Sequence, residues 1–136
     1  MNCKENKAFT LSELLIAAFI LTIVLLGVIA VITNTLRLNQ LNRNMVCAAF
    51  HAQQVIEKMK TSGFGSLESN INSGNWNLNS AALAQNPYNF ALLSNESVST
   101  SVIQSGNPLG VSVQVNWNEP GQDTRSFSLQ TLITNF

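Results

Sequence analysis

The sequence predicts an α+β chain, with one long N-terminal helix, apolar in its first half and amphipathic in its second, packed on a small antiparallel sheet. Three observations predict it. The chain is apolar without a break from Leu14 to Ile32, it holds no Pro or Gly from Val28 to Ser62, and its last third alternates with period 2.

The apolar run comes first. It reads LLIAAFILTIVLLGVIAVI, 19 residues without a charge, interrupted only by Thr22 and Gly27. At 1.5 Å per residue it is about 28 Å long, close to the thickness of a bilayer's hydrocarbon core. A helix of a soluble core would show a polar face every three or four positions, and this run shows none. The segment therefore spans a membrane or is stored in one. A cleaved secretory signal has an apolar region of about 7–15 residues and then a small-x-small site. This run is longer, and Thr33-Asn34-Thr35-Leu36 after it supplies no such site. Cys3 is no lipoprotein site, because no apolar region precedes it.

After Thr33 the pattern turns amphipathic. Leu38, Leu41, Met45, Ala48, Ala52, Val55 and Met59 follow a 3-4 spacing on one helix face, with Arg37, Arg43, Gln53, Glu57 and Lys58 off it. A small sheet is expected to cover this stripe in preference to a coiled-coil partner, because the stripe lasts only about three heptads. Lys58 and Lys60 suit a helix C-terminus and Gly63 a helix stop. A helix from Thr10 to Thr61 would be about 75 Å long.

Ser66 to Asn95 is rich in Asn and Ser and reads as an irregular connection, with one short helix around Ala81–Gln85. Strand signals follow. Val98, Thr100 and Val102 alternate with Ser residues, and Val111, Val113, Val115 and Trp117 alternate with Ser112, Gln114 and Asn116. Glu119-Pro120-Gly121-Gln122 reads as a turn, after which Phe127 and Leu129 resume the alternation. Two or three antiparallel strands are expected, with the helix stripe supplying half of the core.

Composition narrows the functions. Of 136 residues 46% are hydrophobic and only 10% charged, with Lys+Arg 7 against Asp+Glu 7. Binding of nucleic acid through a basic surface is excluded on that balance. Catalysis finds little support: His51 is the only histidine and is expected as a partly exposed helix residue, outside any zinc site or Ser-His-Asp arrangement. Gly63-Phe64-Gly65 ends a helix and lacks the lysine of a phosphate loop. The acids Glu57, Glu68, Glu96, Glu119 and Asp123 are dispersed, and Glu119–Asp123 reads as a turn rather than a calcium loop. Asn95-Glu96-Ser97 fits a glycosylation sequon, a three-residue pattern that carries little weight by itself. The expectation is a protein that is not an enzyme and has no metal or cofactor.

The residues ahead of the run, Lys4-Glu5-Asn6-Lys7-Ala8-Phe9-Thr10-Leu11-Ser12-Glu13, resemble the N-terminus of type IV prepilins: a short basic leader, a small residue, then Phe-Thr-Leu-x-Glu entering an apolar helix. The resemblance implies the pilin fold. It also implies cleavage between Ala8 and Phe9 by a prepilin peptidase that then N-methylates Phe9, with Thr10, Leu11 and Glu13 as motif residues. Ala8 stands where the family usually has Gly. Glu13 would be the fifth residue after cleavage, where the family pairs it with the free amine of a neighbouring subunit's first residue to set register during assembly. The bland alternative is an acid favoured by the helix dipole at the headgroups. The implied organisation is a leader over 1–8, a transmembrane or filament-core helix over 9–33, an amphipathic half over 34–62 and a small head over 63–136.

Phe50–Ser62, Leu25–Gly27 and Val113–Trp117 resemble, further, PilV-type minor pilins and the I-type minor pseudopilins of type II secretion. The minor-pilin resemblance implies assembly into a type IV pilus and a part in motility, adhesion or DNA uptake. Its rivals are a pseudopilin of a type II secretion system and a tip module that binds a surface or DNA. Implied partners are the prepilin peptidase, other major and minor pilins, and an inner-membrane platform and ATPase, with no nucleic acid expected. Lys4 and Lys7 ahead of the run place the leader in the cytoplasm and the head in the periplasm. Cleavage removes Cys3, and the one thiol left, Cys47, cannot close a disulfide loop within the head. It reads as a small apolar helix residue, with an intermolecular disulfide in the periplasm as the alternative.

Overall fold

The computed structural model describes residues 10–85, 87–119, 121 and 124–135. Ala8, Phe9, Pro120, Gln122 and Asp123 lie outside them, and with them the cleavage site and most of the proposed turn. The first element is one unbroken helix, α1, Leu11–Thr61. The chain divides into two compact units between Leu41 and Asn42.

In the first unit every large apolar side chain from Leu11 to Ile32 is exposed. The threonine hydroxyls in and just beyond this stretch bond within their own helix. Thr22 Oγ1 donates to Ala18 O at 2.8 Å, Thr33 Oγ1 to Ile29 O at 3.1 Å and Thr35 Oγ1 to Val31 O at 2.9 Å. Such bonds to the preceding turn hide a hydroxyl inside an apolar helix. The helix is long and apolar enough to cross a membrane.

The second unit is the α+β head. The C-terminal part of α1 is followed by α2 (Phe64–Asn72), β1 (Leu78–Asn79), α3 (Ser80–Leu83), β2 (Ser97–Gln104), β3 (Leu109–Asn118) and β4 (Thr124–Ile133). The strands form one antiparallel sheet in the order β1-β2-β3-β4. Alternation decides which face is covered. Val111, Val113, Val115 and Trp117 of β3 are buried in one cluster with Ala48, Ala52, Val55, Ile56 and Met59 of α1. Opposite them across the β3–β4 ladder stand Thr131, Leu129, Phe127 and Arg125. This is a long N-terminal helix packed on a small antiparallel sheet, as the sequence predicts, and consistent with a pilin fold.

Four expectations need correction. The segment from Ser66 to Asn95 is not irregular throughout, since it contains most of α2 and the short edge strand β1, which makes four strands rather than two or three. Leu67 and Ile71 of α2 reach the core one turn apart, so burial carries a helix through poor local propensity. The expected short helix is present as α3, where Asn79 Oδ1 caps Ala82 N–H at 2.9 Å. The stripe is buried only from Ala48 onward, with Leu38 59% and Met45 51% exposed. His51 is 3% exposed rather than partly exposed, because the loop before β2 closes over it with Phe90 and Glu96.

One close approach stands in the β2–β3 ladder. A Cβ on Gly110 would lie 2.8 Å from Gln104 Cβ and 2.9 Å from Ile103 Cγ1, at the irregularity between Val102 and Gln104.

Candidate functional site

The segment singled out by the sequence opens α1. Helix dihedrals begin at Leu11, which puts Thr10 at the N-cap and Glu13 at the third helical position. Glu13 N–H donates to Thr10 Oγ1 at 3.4 Å, and Thr10 N–H donates back to Glu13 Oε2 at 3.0 Å. This reciprocal pair is a capping box, which satisfies two amides that a helix start leaves without partners. Thr10 Oγ1 also donates to Glu13 Oε2 at 3.0 Å and lies 3.1 Å from Ser12 Oγ. The two bonds that Thr10 donates to Glu13 both end on Oε2, and no hydrogen bond reaches Glu13 Oε1 among the described residues. The carboxylate thus keeps acceptor capacity facing outward at the positive end of the helix dipole. Thr10, Leu11 and Glu13 stand together at one exposed helix end, while Ala8 and Phe9 lie outside the described residues.

The head holds two polar groupings that spacing alone does not reveal. In the first, His51 Nδ1 lies 2.6 Å from Glu96 Oε1, and both side chains are buried. With Glu96 as the acceptor, Nδ1 carries the hydrogen. Glu96 Oε2 accepts from Leu93 N–H at 2.8 Å, which satisfies both carboxylate oxygens. Phe90 stacks on the imidazole at 4.0 Å and 3°. On the other side of the ring, Nε2 lies 3.6 Å from the sulfur of Cys47, one helical turn earlier. Cys47 stands well beyond the apolar run. Burial, and next the charge of Glu96, push its thiol above the usual range, while Arg43 pulls it down.

In the second grouping, Glu119 Oε1 accepts from Asn44 Nδ2 at 2.9 Å and from Trp117 Nε1 at 2.8 Å. These bonds, Asn44 first, hold its carboxyl below the usual carboxylate range. Among the described residues no cluster of His, Cys, Asp and Glu has the make-up of a metal site. Cys47 and His51 stand four positions apart on α1, but no local pattern joins them to Glu96, 45 positions beyond His51.

Residues 3–29 match the family described as the prokaryotic N-terminal methylation motif. The match covers residues 3–9 ahead of the helix, the capping box and most of the apolar run, and leaves the head outside it. None of the curated proteins and none of the solved structures compared with the chain matches it. The motif supports a prepilin-type protein, made as a precursor that a prepilin peptidase processes for assembly with other pilins. The exposed apolar helix behind the motif is compatible with membrane anchoring.

Proposed function

We propose that the chain is a structural subunit and not an enzyme: a minor pilin of the PilV type, assembled into a type IV pilus. The observation that supports this best is the methylation motif running without a break into an exposed apolar helix that continues into an α+β head. In this reading the peptidase cuts between Ala8 and Phe9 and methylates Phe9. The helix waits in the inner membrane with the head in the periplasm, and the platform and ATPase move the subunit into the filament. The outward oxygen of Glu13 then meets the amine of a neighbouring subunit's first residue. That pairing acts through recognition, because exposed ion pairs add little stability.

The test is a deletion strain in which surface pili, twitching and secreted hydrolases are measured in one culture. Lost pili with normal secretion is the expected result. Normal pili with enzymes trapped in the periplasm would move the chain to the pseudopilins of type II secretion.

A further inference from the structure

We propose that Cys47, His51 and Glu96 form a thiol-exchange site, in which Cys47 attacks an organic disulfide and ends in a mixed disulfide with it. The three side chains stand in the order nucleophile, base and orienting acid. Sγ lies 3.6 Å from Nε2, and Nδ1 lies 2.6 Å from a buried carboxylate oxygen. Glu96 fixes the tautomer, since a hydrogen held on Nδ1 leaves Nε2 of the neutral ring free to accept the thiol proton. Phe90 holds the plane of the ring. Among the described residues no polar group other than Cys47 meets Nε2.

Cys47 itself is only partly covered. Exposed Val46 and Phe50 flank it on α1, and Ala91 comes within 3.9 Å of the sulfur through its carbonyl. This apolar rim suits an organic disulfide better than a charged one. Glu96 and Arg43 are the charged groups that act on the thiol. Burial and Glu96 raise the thiol above its usual range, so activation depends on the imidazole nitrogen 3.6 Å from the sulfur.

The step balances without an outside oxidant. As Sγ forms its bond to one sulfur of the incoming disulfide, His51 Nε2 takes the thiol proton. The old S–S bond breaks, its electron pair leaves on the second sulfur, and that thiolate takes the proton from the imidazolium. One thiol and one disulfide give one mixed disulfide and one thiol. Glu96 is a positioning residue here, acting through His51.

The experiment uses the full chain in detergent, in a Cys3→Ser background, with dithiodipyridine as the probe. The rate of Cys47 near neutral pH is compared with that of an exposed thiol made by Gln53→Cys in a Cys47→Ser background. Cys47 is expected to react about tenfold faster although it is less exposed, and His51→Gln and Glu96→Gln to lose about that factor, less than the roughly 10²–10⁴-fold of a fully positioned general base. In strong alkali, where the thiol ionises unaided, the variants should converge on the parent rate. A Cys47 no faster than the exposed thiol would overturn the proposal, and that comparison needs no change at His51. A deficit of the variants that persists in alkali would also overturn it, by showing a structural effect.

Discussion

The side-chain amide of Asn44 donates to Glu119 Oε1 across 2.9 Å, tying α1 to the residue that follows β3, and Trp117 donates to the same oxygen at 2.8 Å. Both bonds favour the ionised carboxylate, so the folded chain binds this proton less tightly than the unfolded chain does. The stabilisation is therefore present above the unfolded value of about 4.3 and is lost as pH falls through the lower folded value. Glu119→Gln is expected to lower the denaturant midpoint near neutral pH and to lose most of that deficit in strong acid. Urea titrations of the two proteins at both pH values check it.

The buried His51–Glu96 pair behaves differently. Removing one partner leaves the other without its hydrogen bond in the core, so His51→Ala or Glu96→Ala is expected to cost about 1–3 kcal/mol. A double replacement by Leu at 51 and Met at 96 should recover part of this loss, since no polar group is then left stranded. Chemical denaturation of the three variants decides whether the pair is coupled in this way.

The stripe on α1 changes character along its length. Met59 is fully buried, and Met59→Ala is expected to destabilise the head by about 2–5 kcal/mol. Leu38, with the same place in the sequence pattern, is 59% exposed, and Leu38→Ala should stay within about 0.5 kcal/mol. Thermal melts in detergent, run side by side, separate the two.

Gly110 leaves no room for a methyl group. Gly110→Ala would drive a Cβ into Gln104 and Ile103, at an expected cost of about 1–3 kcal/mol. Hydrogen exchange should show the loosening concentrated where β2 and β3 pair.

Periodicity carried most of the fold. The apolar run, the Val-rich alternation of β3 and the cations ahead of Gly63 each report a local pattern that the structure obeys. What the sequence hid depends on contacts distant along the chain. Phe64, Leu67 and Ile71 have helical spacing, but the Gly, Ser and Asn residues around them mask it until the core supplies burial. His51 and Glu96 are 45 positions apart, and no local rule pairs a helix histidine with an acid in a loop. At the candidate site the motif was legible residue by residue. The capping box is equally local, a Thr-x-x-Glu spacing with two roles, one closing the helix and one turned outward.

The threonine hydroxyls in and just beyond the apolar run each bond to a carbonyl of their own helix. In hydrocarbon an unpaired polar group has to find a partner on another helix or pay for its isolation. Here nothing in the run makes that demand. Such a helix is self-sufficient and indifferent to company: lipid tails and other apolar helices would suit it equally, and a transfer between them would break none of these hydrogen bonds.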